Sequence, residues 1–326
     1  MKRRIFFSSV LVLLVVAMII SLRFGAVTTK WTDIYPALFN FDGQQQNQQL
    51  IRMLRLPRML GAAIVGASFA ASGALMQGIT SNPLADSGLL GINSGAGLGL
   101  AIIFMLNPIP SPMYAIIGSF LGALVAILII YFASSRPSIG MSPIRIVLLG
   151  AAISAFFTSL SQSISLVFNL NQDITFWLVG GTGNITWDQI KIISPIIIIG
   201  LVGTILISPQ ITLLSMGDEA AIALGRQPQR IRKWTMFLVL LLAGGAVSLA
   251  GTIAFVGLIV PHIVRYFVGY DYRTVLPASI LFGALFFIVA DCGARFVAPP
   301  TETPVGVIIT IIGVPFLLLQ IRKGSL

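Results

Sequence analysis

The chain has 326 residues, 56% of them hydrophobic and only 9% charged, where an ordinary soluble domain carries roughly a quarter charged; that balance excludes a soluble globule. A bilayer core about 30 Å thick takes about 20 helical residues to cross, so a chain of this length with short loops holds about ten crossings and leaves no room for a catalytic domain. The net charge of +10 does not point to nucleic acid, because the 20 basic residues are scattered between long apolar runs and form no basic patch.

Met1 to Arg4 followed by the uncharged run Ile5 to Leu22 resembles the start of a signal peptide, but no small-x-small cleavage site follows before Arg23, so this run reads as an uncleaved first span. In the polar stretch from Arg23 to Arg58, Trp31, Ile34, Tyr35, Leu38 and Phe39 recur at helical spacing before a glutamine-rich turn, which predicts a short amphipathic helix on the bilayer surface. The uncharged runs beyond it are Met59 to Ala85, Ser87 to Ser135, Ile146 to Gln172, Ile192 to Gly217, Trp234 to Val264, Thr274 to Ala290 and Thr303 to Ile321. Asn107-Pro-Ile-Pro-Ser-Pro112 splits the second of these into a helical hairpin. The 31 residues from Trp234 to Val264 exceed one span and fall short of two.

Cytoplasmic loops collect Lys and Arg, and this settles the count. With ten spans and the N-terminus inside, the inner segments hold 13 of the 20 basic residues: Lys2, Arg3, Arg4, Arg136, Arg145, Arg226, Arg230, Arg232, Lys233, Arg265, Arg273, Arg322 and Lys323. Basic residues flank the 31-residue run on both sides, so it makes two passes, the second short and either broken or started by Pro261. The same ten-residue spacing separates Gly73 from Pro83 and Gly251 from Pro261, a weak internal repeat of the kind found in transporters built from two related halves.

Gly61, Gly66, Gly73 and Gly78, and the pair Gly118 and Gly122, suit close helix packing. Gly95-Ala-Gly97-Leu-Gly99 lacks the G-K-[ST] ending of a phosphate loop. Cys292 is the single cysteine and permits no internal disulfide, while His262 is the single histidine and no metal-ligand motif accompanies it. No clustered nucleophile, base or metal set is present for an enzyme.

The longest inner loop, Pro209 to Lys233, contains Met216-Gly-Asp-Glu-Ala-Ala-Ile-Ala-Leu-Gly225 and a basic cluster. In this it resembles the permease subunits of ABC importers, whose cytoplasmic loop docks in a groove of an ATPase subunit. Arg55-Leu-Pro-Arg58, Ser72-Gly-Ala-Leu-Met-Gln77, Asn82-Pro-Leu-Ala85, Leu90-Gly91, Ser94-Gly-Ala96 and Trp177-Leu-Val-Gly180 sharpen the resemblance, as do Phe255-Val-Gly-Leu-Ile-Val-Pro-His262, Asp271-Tyr-Arg273, Ala290-Asp291, Ala294-Arg295, Glu302-Thr-Pro-Val-Gly306 and Gly313-Val-Pro-Phe316. In this order they resemble the iron-siderophore and vitamin B12 permease family, the FecCD family, over nearly the whole chain. Ser87 departs from the family's usual proline, and Gly181-Thr182 from its usual Gly-Ser or Ser-Leu.

The resemblance implies an all-α polytopic membrane protein of about ten helices forming one permease domain, residues 1–326, in the cell membrane with both termini cytoplasmic. It implies a second permease (an identical copy or a paralogue), two cytoplasmic ATPase subunits that hold ATP and Mg, and an external substrate-binding protein. No cofactor is expected on this chain. Gly217, Asp218, Glu219, Ala220, Ala221, Leu224 and Gly225 are the expected ATPase-coupling residues, and Arg55, Arg58 and Arg295 the expected docking arginines for the binding protein. Asp291 and Arg295, four apart on one helical face, offer an internal ion pair in competition with docking. Gln77, Asn82, Pro83 and Ser94 are candidates for the pathway or its gate, helix glue being the alternative. The expected cargo is a ferric siderophore, with haem or cobalamin as alternatives from the same family. The rival from another class is an ion-coupled secondary transporter, but Asp291 is the single plausible coupling carboxylate.

Overall fold

Among the described residues, ten apolar helices follow the uncharged runs in chain order. A computed structural model describes residues 2–25, 28–134, 143–170, 174, 177, 179–297 and 303–322; Arg136, Leu178, Glu302 and Lys323, used above, lie outside the described residues. The helices are α1 (Lys2–Arg23), α2 (Leu56–Thr80), α3 (Ile92–Leu106), α4 (Pro112–Ser134), α5 (Pro143–Val167), α6 (Trp187–Ser215), α7 (Pro228–Ala250), α8 (Val256–Val268), α9 (Tyr272–Val297) and α10 (Val305–Arg322). Seven are long and apolar enough to cross a membrane, and α3, α8 and α10 are shorter apolar helices. The protein is an all-helical multi-pass membrane protein. Helices are what such a chain must form, because lipid offers no partner to a backbone N–H or C=O. We call the end of the bundle where α1 begins proximal and the end where it finishes distal.

α2 is the buried axis of the bundle, with a run of small residues that lets its neighbours come close. A Cβ on Gly66 would stand 2.3 Å from the Gly283 carbonyl of α9, and one on Gly73 would stand 2.1 Å from the Gly257 carbonyl of α8. The α3–α4 hairpin turns at Asn107 to Ser111, as expected, and closes the same way, Gly99 against the Gly118 carbonyl and Gly95 against that of Gly122. Gly95 to Gly99 is therefore a packing face. α1, by contrast, exposes Leu11, Val12, Leu13 and Val15 on its outer side, as a lipid-facing helix does.

The expected surface helix is present at Trp31–Phe39. Ala37 is buried against the bundle, with Leu22, Ile51 and Met59 nearby, while Trp31, Tyr35 and Phe39 are exposed on its other side. Aromatic rings at the level of the span ends match the interfacial belt of membrane proteins.

Two expectations change. Pro261 neither starts nor breaks the short pass; it sits inside α8, whose N-cap is Phe255. Lacking an N–H, Pro261 leaves the carbonyl four residues back, that of Gly257, without a helical donor. Gln77 of α2 donates to that carbonyl at 3.1 Å. The Gly73/Gly251 repeat also fails: Gly73 is inside α2 with Pro83 in a turn beyond it, whereas Gly251 follows the end of α7 with Pro261 inside a helix.

Candidate functional site

The proximal connection between α6 and α7 is shorter than the sequence suggests. α6 runs through Pro209 to Ser215, and α7 already contains Lys233, so the segment outside the apolar helices is Met216 to Gln227. It holds one helix, Asp218–Ala223, framed by Gly217 at φ +114° and Gly225 at φ +72°. L-residues with side chains rarely adopt such angles. The helix closes with the two hydrogen bonds of a Schellman motif, Gly225 N–H to the Ile222 carbonyl at 2.9 Å and Arg226 N–H to the Ala221 carbonyl at 2.9 Å. Ala221 faces the bundle with no exposure, while Ile222 is 61% exposed, and Met216 and Leu224 are exposed beside it. Met216, Ile222 and Leu224 thus form an exposed apolar patch beyond the spans, on and beside a helix whose ends turn at two glycines.

Asp218 opens this helix and is held by Arg232, a residue the sequence reading did not single out. The guanidinium of Arg232 forks onto the carboxylate, Nη1 to Oδ2 at 2.9 Å and Nη2 to Oδ1 at 2.6 Å. A signal for it exists in the sequence: Pro228, Ile231, Arg232, Thr235, Met236 and Val239 recur at helical spacing and form the buried stripe of early α7.

At the distal end the expected docking arginines are buried, at 6% exposure for Arg55, 9% for Arg58 and 4% for Arg295. Arg58 and Arg295 are knit into a network around Asp291 of α9. Arg58 donates through Nη2 to Oδ1 at 2.9 Å and through Nε at 3.1 Å; Arg295 donates through Nε to Oδ2 at 3.1 Å and through Nη2; Thr182 adds its hydroxyl to Oδ1. The ion pair between Asp291 and Arg295 thus forms. Arg55 and Arg295 also reach the last carbonyls of α1. Arg295 Nη1 donates to Ser21 O and Phe24 O at 3.0 Å each, and Arg55 Nη1 to Leu22 O at 2.8 Å. A helix leaves its final carbonyls unpaired, and cations complement that end of its dipole. The arginines therefore do structural work in this chain, and the open positive surface expected from the sequence is not formed. Three guanidinium groups still outnumber the one carboxylate among them.

The network borders a cavity of about 870 Å³ lined by Arg58, Phe104, Trp177, Thr182, Asp291 and Pro304 among others. Its wall includes the non-helical backbone that follows α7, where a Cβ on Gly251 would stand 2.8 Å from the Gly180 Cα, and the Gly181 N–H donates to the carbonyl of Ala250, the last residue of α7, at 2.8 Å. Irregular backbone is tolerated at membrane depth where protein buries it or a cavity adjoins it.

The four pathway candidates separate. Gln77 is buried between α2 and α8 as the donor to Gly257. Asn82 is exposed at the proximal end of α2 and its side chain accepts from the Leu84 N–H at 2.9 Å; Pro83 is half-buried in the same turn. Ser94 lies in the first turn of α3, half-buried, bonded to the Gly91 carbonyl at 3.0 Å.

Among the described residues, ten packed apolar helices enclose a cavity beside non-helical segments at one end and carry a glycine-framed helix with exposed apolar side chains at the other, an arrangement that fits a membrane transport subunit. A model of the FecCD transport family matches residues 13–323, and the chain belongs to that family. It is 38% identical over 313 residues to the iron(3+)-hydroxamate import system permease protein FhuB of Bacillus subtilis, covering 96% of this chain and 82% of that one. To the iron-uptake system permease protein FeuB of the same organism it is 38% identical over 311 residues, 95% of this chain and 93% of that one. Among solved structures it resembles an inward-facing metal-chelate type ABC transporter, with a TM-score of 0.86 and 27% identity over 98% of this chain and 99% of that one. The protein is accordingly a permease subunit of an ABC importer.

Proposed function

We propose that this permease carries ferric siderophores inward, driven by ATP hydrolysis in cytoplasmic subunits that dock on the Met216–Gln227 segment. The observation that carries the reading is that segment itself: Met216, Ile222 and Leu224 exposed on and beside a short helix framed by Gly217 and Gly225 at positive φ. Its exposure and its direct continuity with α6 support a role in coupling. The iron-import relatives support the cargo, and iron that arrives already chelated needs no ligand from the protein. In this reading the chain works beside a second permease with the pathway between the two, and an external binding protein delivers the chelate.

The binding protein docks at the distal end. Of the three arginines, Arg58 lines the distal cavity and is the one that an acidic group of the binding protein would reach through it. In this reading the proximal end is cytoplasmic, an orientation that the distribution of basic residues supports. Growth on single iron sources after deletion of the gene tests the cargo. Loss of growth on ferric hydroxamates, restored by the intact gene, supports the reading; loss confined to haem or to cobalamin-dependent conditions contradicts it.

A further inference from the structure

Arg232 makes one contact beyond Asp218. Its Nε donates to the carbonyl of Ile79 at 3.3 Å. Ile79 is in the last turn of α2, which has no basic residue of its own there and stops at Ser81 in a left-handed conformation. The last four carbonyls of a helix lack intrahelical donors. The Thr80 hydroxyl, at 2.7 Å, bonds the earlier carbonyl of Met76 and so does not serve that of Ile79. A side chain from α7 therefore caps α2, and the same guanidinium grips the first residue of the Asp218–Ala223 helix. Its charge lies at the favourable end of the α2 dipole. The Arg232 side chain is 5% exposed and that of Asp218 48% exposed, so one partner is buried in the bundle and the other lies half-exposed on its proximal surface.

Resting on the docking reading above, we propose that Arg232 is a positioning residue for coupling: it transmits displacement of the Asp218–Ala223 helix to the proximal end of α2, and so to the Ser81–Asp86 turn that carries Asn82 and Pro83. The fork makes the link directional. Two parallel N–H donors fix both distance and orientation of the carboxylate, which a single ammonium does not. A shift of the coupling helix moves Asp218, Asp218 turns the guanidinium, and the guanidinium pulls or releases the last turn of α2.

The test uses the assembled complex of permease, ATPase and binding protein in proteoliposomes, with a radio-iron-loaded hydroxamate chelate, and reads chelate transported per ATP hydrolysed. Arg232→Gln lowers that ratio about tenfold, within the range of coupling between sites. Asp218→Asn lowers it in the same direction, and the double variant falls no further than Arg232→Gln alone, because both remove one link. A wild-type ratio in either single variant, or losses that multiply in the double variant, overturns the proposal. So does a merely structural cap, which would lower thermal stability and leave the ratio alone. If Arg232→Gln fails to reach the membrane, Asp218→Asn, on the half-exposed partner, decides. Ile222→Glu separates the two readings. If that variant still captures the ATPase, the docking reading falls and the link with it; if it loses the ATPase while Arg232→Gln transports at full yield, the link alone falls.

Discussion

Asp291 holds the distal end together, with its side chain 1% exposed and two arginines, Arg58 and Arg295, bonded to it. Removing the carboxylate leaves two buried guanidinium groups without their counter-charge. Truncating one partner of a buried pair typically costs about 3–5 kcal/mol, so Asp291→Ala is expected to lower the melting temperature of the detergent-solubilised protein sharply, measured by thermal aggregation. The Gln77 amide makes a second residue-level test. Gln77→Leu orphans the Gly257 carbonyl at a cost of about 1–3 kcal/mol. In a Pro261→Ala background the helix supplies its own donor and the loss should shrink; an equal loss in both backgrounds contradicts the account. The Asp291–Arg295 pair was legible from its four-residue spacing. Arg58 joins it from 233 positions away, and Thr182 comes from a loop, so no local pattern announces either one. Arg232 was hidden inside a basic cluster that reads as an ordinary inner-side charge run, and it is distinguished only by falling on the buried stripe of its helix.

At the scale of elements, glycine decides which helices touch. Gly99 meets the Gly118 carbonyl so closely that a Cβ would stand 2.0 Å from it. Gly99→Leu must push α3 and α4 apart, and overpacking of this kind costs about 1–3 kcal/mol or more; the expected result is reduced membrane yield and stability, read by fluorescence-detected size exclusion. The coupling helix depends on backbone angle instead. Gly225→Pro removes the N–H that closes the Schellman motif and forbids the φ of +72°. Transport should fall strongly while the protein remains in the membrane. Ala221, by contrast, is fully buried, so a charge placed there perturbs packing under the helix, and Ile222 is the position that probes docking itself. The hairpin turn at Asn107–Pro112 could be read from its prolines, and the surface helix from its aromatic spacing. Pro261 misled because a proline in an apolar run suggests a boundary, whereas here Gln77 from another helix serves the carbonyl that the proline orphans.

For the whole molecule, the sequence is informative about number and order of spans because hydrophobic length and charge bias are set locally by the bilayer. It is silent on how the ends are tied, since those ties link α1 to α2 and α9, and α7 to α2. Orientation is tested by labelling single cysteines from outside on a Cys292→Ala background. Gln46, exposed at the distal end, should react when changed to cysteine, and Gln229, exposed at the proximal end, should not; the reverse pattern inverts the topology. The central claim is that ATP hydrolysis in a partner drives cargo through this chain. Its most direct test is uptake of a radio-iron-loaded hydroxamate chelate into proteoliposomes holding the permease, ATPase and binding protein. The account predicts accumulation that requires ATP and Mg with the binding protein on the opposite face, and that is insensitive to collapse of the proton gradient. Accumulation driven by a proton or sodium gradient without ATP would contradict it.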